Sequence, residues 1–230
     1  MCFAPEADAV VGGIVIGVGI DALRHVRRPE QIALASLPLL FGLHQLTEAF
    51  VWWGLRGNLA ESVEHVAVWV YLVFAFSVLP VLVPVGVGLI ERVTARRWVM
   101  CGFGALGLAV ATALTVAMVR GPIHAIIEDR HVAYTVDAVA HGGQLTALYV
   151  VATCGALLAS SYRDIARLGA LNLVAVPVLM WLTLSGLVSL WCFWAAVISI
   201  GIAIHLRRVA PDAPAAPSVR RYDARSESDH

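Results

Sequence analysis

The chain has 230 residues, 60% of them hydrophobic and 14% charged, with a mean hydropathy of +0.81, whereas soluble domains hold roughly a quarter charged residues. All 16 positive charges are arginine, and without lysine no retinal Schiff base, P-loop nucleotide site or pyridoxal phosphate (PLP) linkage can form. The formal net charge of zero leaves no basic surplus for nucleic acid, and the composition is that of a protein whose partner is the lipid bilayer.

Apolar runs near 9–26, 32–55, 66–90, 98–119, 134–159, 166–183 and 187–206 each approach the length a bilayer requires of a helix. They predict an all-α, polytopic membrane protein of seven transmembrane helices. The last two runs form one stretch from Ile165 to Leu206, too long for one crossing and suited to two joined by a turn at Ser185-Gly186. Arginine placement supports an odd count. Arg24, Arg27 and Arg28 follow the first run, Arg92, Arg96 and Arg97 the third, Arg163 and Arg167 the fifth, and five more the seventh; only Arg56, Arg120 and Arg130 fall in the alternate loops. This asymmetry predicts an extracytoplasmic N-terminus and a cytoplasmic C-terminus in a multi-pass plasma-membrane protein. Residues 1–208 make up the transmembrane domain, and the proline-rich 209–230 are expected to be a disordered cytoplasmic tail. No positive residue precedes the first run, so it lacks the charged start of a signal peptide and is expected to be retained.

Trp52, Trp53, Trp69, Trp181, Trp191 and Trp194 fall toward the outer ends of their helices, where an interfacial belt is the expected reading. Ala9, Gly13 and Gly17 on the first helix, and Ala105, Ala109, Ala113 and Ala117 on the fourth, recur at four-residue spacing and predict close-packed ridges.

Ionisable groups within hydrocarbon are costly, so those present mark the best candidates for function. The second helix carries FGLHQLTEAFVWW, in which His44 and Glu48 share a face with Gln45 beside them and Trp52 one turn further out. The expected fifth helix carries YTVDAVAHGGQ, with Asp137 and His141 four apart and Gln144 following. At 1.5 Å rise per residue, Glu48 and His141 both fall about 7 Å above the midplane, in the outer leaflet. His44, Glu48, Asp137 and His141 then offer two imidazoles and two carboxylates, a set suited to a divalent transition metal such as zinc. The competing reading is that these side chains only hydrogen-bond to one another and hold the two helices in register.

The loop RGPIHAIIEDRHVAY places His124, Glu128 and His131 at spacings that a short surface helix would align, as a lid or as a helix lying on the membrane. Of the four cysteines, Cys101 and Cys154 read as packing residues. Cys2 is expected outside, where removal of the initiator methionine would set a free amine beside its thiol, a pair able to chelate or attack.

The opening Met1-Cys2-Phe3 and the segment Pro38, Phe41-Gly42, Gln45, Glu48, Trp52, with Pro80 and Pro84 in the third helix, resemble a bacterial family of seven-helix membrane proteins described only as a domain of unknown function, whose members begin Met-Cys-Phe. The resemblance extends to about Arg208. Ala4 stands where that pattern usually has serine, and position 44 is often glutamine, which shifts emphasis from His44 to Glu48 and Gln45. The resemblance implies architecture and not a reaction.

The leading expectation is a buried polar pocket in the outer half, formed by His44, Gln45, Glu48, Trp52, Asp137, His141 and Gln144, that binds a small solute, proton or metal ion for transport or sensing. An enzymatic alternative makes Glu48 or His141 a general base and Cys2 a nucleophile. A structural alternative is a membrane subunit without a ligand.

Overall fold

The computed structural model describes residues 4–128, 131–139, 142–182 and 186–208. Among them the chain forms seven helices and one two-stranded hairpin. Helix α1 (Pro5–Arg24) leads through a turn at Pro29–Gln31 into α2 (Ile32–Leu55), followed by α3 (Glu61–Ile90) and α4 (Thr94–Arg120). Strands β1 (Ile123–Glu128) and β2 (His131–Val136) come next, then α5 (Gly142–Leu158), α6 (Arg163–Leu182) and α7 (Leu187–Arg208).

The stretch from Pro29 to Leu55 and helices α3, α4, α6 and α7 are long and apolar enough to cross a membrane. Helix α1 has 20 residues but carries Glu6, Asp8 and Asp21, and the apolar α5 has only 17. At 1.5 Å per residue α5 extends about 26 Å, at the short limit of the roughly 17–25 residues found in membrane-crossing helices. The fifth helix was expected from 134; it begins at Gly142 because β2 occupies the preceding residues. The expected short helix across His124, Glu128 and His131 is likewise replaced by the hairpin, in antiparallel register from Ile123 opposite Val136 to Glu128 opposite His131. The β-branched content of Ile123, Ile126, Ile127, Val132, Thr135 and Val136 favours strand over helix.

Helix α1 packs closely along α2. Its buried stripe is Asp8, Gly12, Val15, Gly19 and Ala22, one residue out of step with the ridge expected at Ala9, Gly13 and Gly17. A Cβ on Gly12 would come within 2.9 Å of the Gly42 carbonyl oxygen, one on Gly19 would run into the Leu39 backbone, and one on Gly13 or Gly17 would meet nothing. The small residues that allow close approach are therefore Gly12, Gly19 and Gly42. On α4 the buried face includes Gly107, Val110, Ala111, Leu114 and Ala117, while Ala105, Ala109 and Ala113 are exposed.

Helix α3 changes pitch over Val73–Val78, which form a π-helical turn. Pro80 lacks an N–H and its ring crowds the carbonyl one turn earlier, a local reason for the ladder to widen there. The Ala75 carbonyl in this turn accepts a hydrogen bond from the Tyr149 hydroxyl at 2.8 Å, and Ser77 is hydrogen-bonded to Thr115 of α4 at 2.6 Å.

The end of the bundle opposite the hairpin is tied by polar groups. Glu91, between α3 and α4, accepts hydrogen bonds from the backbone N–H groups of Arg92, Val93 and Ser161 and from the Ser161 hydroxyl at 2.7 Å. Burial raises the Glu91 carboxyl pKa, but these donors outweigh it and hold the group below the usual carboxylate range. Arg207 of α7 reaches Asp21 of α1 at 2.6 Å, and His205 lies 3.5 Å from Asp164 of α6.

Candidate functional site

One face of α2 is buried along its length through Leu37, Phe41, His44, Gln45, Glu48 and Trp52, spaced three and four apart as a single helical stripe requires. Glu48 and Gln45 are 0% exposed, Trp52 1% and His44 3%. Glu48 lies seven residues before the end of α2, about 10 Å inside the hairpin end of the bundle. Both ring nitrogens of His44, both amide atoms of Gln45, both carboxyl oxygens of Glu48 and the Trp52 indole nitrogen lack a hydrogen-bond partner of good geometry among the described residues.

The surroundings of Glu48 come from three other helices. The Asp8 carboxylate of α1 lies close enough to repel it, and the hydroxyls of Tyr71 on α3 and Ser189 on α7 face it. Asp8, Tyr71 and Ser189 are each 0% exposed. Cys192, one turn further along α7, interacts with both Glu48 and Tyr71. The His44 ring stacks on Tyr71 with centroids 4.0 Å apart and contacts Phe74 at 4.7 Å, in the π-helical turn. Tyr71 in turn stacks on Tyr134 of β2 at 4.7 Å. The result is a polar cluster built from α1, α2, α3 and α7, with an aromatic column running from the interior to the hairpin.

Sequence reasoning singled out His44, Gln45, Glu48 and Trp52, and these lie together on α2. Trp52 is buried rather than part of an interfacial belt, and the Arg56 guanidinium sits 5.1 Å from its ring centroid. Asp137 is elsewhere. It follows β2 outside any helix, more than half exposed, 3.6 Å from the His124 imidazole. Gln144 is exposed on the first turn of α5. His141 and Cys2, like the expected tail, lie outside the described residues. Among the described residues no group of three or more His, Cys, Asp or Glu side chains is placed to hold a metal ion. Of the expected zinc set, His44 and Glu48 lie together on α2, with the His44 ring stacked on Tyr71, Asp137 is on the surface, and His141 lies outside the described residues.

Asp8, Tyr71, Ser189 and Tyr134 join the cluster although the sequence reading did not select them. Asp8 had a readable signal, because it begins the stripe Asp8, Gly12, Val15, Gly19, Ala22 that faces α2. The hairpin covers this end: His131, Val132, Ala133 and Tyr134 are buried, while most of β1 is exposed. Beneath β2 is a cavity of about 380 Å³, lined largely by apolar side chains.

A family model described as a family of unknown function (DUF6629) matches residues 1–217 of the chain. No curated protein and no solved structure matches it.

Proposed function

This chain belongs to the DUF6629 family, a family of unknown function, and we propose that it is a seven-span plasma-membrane protein that binds a proton or a small cationic solute at the Asp8–Glu48 cluster, for transport or sensing. The arginine asymmetry supports an extracytoplasmic hairpin end and a cytoplasmic end tied by Glu91 and Asp21. The orientation sets the cluster in the outer half of the bilayer, below the hairpin.

The observation that carries this reading is the position of Glu48. Its carboxyl group is wholly buried, its nearest polar neighbours are the hydroxyls of Tyr71 and Ser189, and a second buried carboxyl, Asp8, lies close enough to repel it. Two acids that repel each other in a low-dielectric interior are stabilised by taking up a proton or by a positive charge nearby. His44 and Gln45 extend the same face with unfilled donor and acceptor capacity. A carboxylate pair with an adjacent amide and imidazole suits a positively charged or hydrogen-bond-donating species more than an anion.

Infrared difference spectroscopy of the protein in nanodiscs, cycled between acid and alkaline pH, tests the proposal. The protonated-carboxyl band should change with pH, and Glu48→Gln should remove its main component while leaving the helical amide bands intact. A band unaffected by Glu48→Gln in a folded variant would exclude Glu48 as the titrating centre and leave the cluster a packing device.

A further inference from the structure

The cavity below β2 lies where the chain passes from the hairpin to the 17-residue α5: Thr135, Val136 and Val139 line it on one side and Gly142, Leu145 and Tyr149 on another. Protein interiors are otherwise close-packed, and about 380 Å³ lies within the range of pockets that hold small molecules. Most of its lining is apolar, with Leu114, Leu145, Val150 and Val188 among the contributors.

Its polar lining residues are Tyr134, Thr135, Thr146, Tyr149, Trp191 and Cys192. Two of them are connected to the buried cluster: Tyr134 stacks on Tyr71, and Cys192 interacts with Glu48 and Tyr71. Cys192 thus belongs both to the wall of the cavity and to the surroundings of Glu48, and Tyr134 leads from the same wall to Tyr71. The apolar lining lowers the local dielectric, so a positive charge on this wall is attracted by the carboxyl groups more strongly than one in bulk solvent.

We infer that the cavity takes the apolar body of an amphiphile and that its protonated amine end is held at the wall of Tyr134 and Cys192, on the side of Glu48 and Asp8. This rests on the reading of the cluster as a cation-binding site and adds the class of ligand. The apolar lining selects the body, and the acid pair selects the sign of the head.

Trp191 also lines the cavity, which supplies a reporter. The test uses full-length protein in nanodiscs and three probes with a terminally brominated ten-carbon chain, carrying an amine, a hydroxyl or a carboxylate. Bromine quenches nearby indole fluorescence, and comparison with Trp191→Phe isolates the response of Trp191 from that of the other tryptophans. Saturable quenching of the Trp191 component is expected, with the amine half-saturating at a concentration about ten-fold below the carboxylate. Leu145→Phe and Val188→Phe, which fill the cavity from different helices, should each weaken binding of all three probes. Glu48→Gln should remove the preference for the amine and leave binding of the alcohol unchanged.

Quenching that rises linearly with probe and is the same in both filled variants would mean partition into lipid only and would overturn the inference. Equal or tighter binding of the carboxylate would overturn the assignment of the head group. If either occurs while Glu48→Gln still removes the infrared band, the cavity inference fails and the reading of Glu48 stands. Amine-selective saturation with no infrared effect at Glu48 would leave the cavity a binding site and reject the titrating acid pair.

Discussion

His44 lies flat against Tyr71, ring planes 14° apart and centroids 4.0 Å apart, and the Tyr71 ring in turn carries Tyr134 of the hairpin at 4.7 Å. The imidazole on α2, the phenol on α3 and the phenol on β2 thus form a column that ties the buried polar face to the cover above it. Stacked aromatic pairs contribute about 0.5–1.5 kcal/mol beyond their area. Tyr71→Ala should therefore cost at least the roughly 3–5 kcal/mol typical of deleting a buried ring. Tyr71→Phe keeps both stacks and removes only the hydroxyl facing Glu48, so its cost should be markedly smaller. Unfolding by denaturant in mixed micelles measures both; equal losses would show that the hydroxyl, and not the column, is what Tyr71 supplies.

The α1–α2 seam gives a second prediction. A methyl group on Gly42 would press against the Ile16 backbone and the Gly12 carbonyl, and one on Gly13 would enter open space. Gly42→Ala should destabilise the protein by about 1–3 kcal/mol through overpacking. Gly13→Ala should be neutral or stabilising by up to about 1 kcal/mol, because alanine is the better helix former. The same unfolding measurement compares them, and a larger loss at Gly13 than at Gly42 would place the seam on the wrong face of α1.

The α2 half of the site was legible because helical periodicity is a local property: His44, Gln45, Glu48 and Trp52 fall on one face whatever surrounds them. Asp8 was obscured by its nearness to the start of α1, where an acid is usual and needs no special reading. The stripe it shares with Gly12 and Gly19 was the missed signal. The hairpin was misread because VAYTVDAVA, apolar at most positions, satisfies a membrane window as well as a strand, while the late start of α5 depends on pairing with β1 some ten residues away. The contacts of Tyr71, Ser189 and Tyr134 had no local signature at all. They exist only because α3, α7 and β2 converge, and convergence is tertiary.

At the opposite end, the lowered Glu91 pKa makes a statement about acid stability. A carboxyl group whose folded value lies below its unfolded value stabilises the fold at pH above the unfolded value, and that contribution is lost as pH falls through the folded one. Glu91→Gln should lower stability at neutral pH and flatten the acid limb of the stability–pH curve, bringing variant and wild type together at low pH. Thermal unfolding across a pH series reads this directly. A constant difference between the two proteins at every pH would assign Glu91 a role through shape alone.

The two buried acids supply the sharpest prediction, because proximity makes their substitutions non-additive. If Asp8 and Glu48 share one proton or one cation, neutralising either removes both the repulsion between them and the reason for the shared species. Glu48→Gln then leaves Asp8 without the shared species, and Asp8→Asn does the same for Glu48. The double variant should consequently be less affected than the sum of the singles, with a coupling energy of about 0.5–3 kcal/mol, the range found for residues in one network. Additive effects within about 0.5 kcal/mol would show that the carboxyl groups are energetically independent despite their shared burial. Asp21→Asn provides the control from the other end of α1, where the ion pair with Arg207 is partly solvent-exposed. Exposed pairs contribute about 0–1 kcal/mol, and Asp21→Asn should add to Glu48→Gln without coupling.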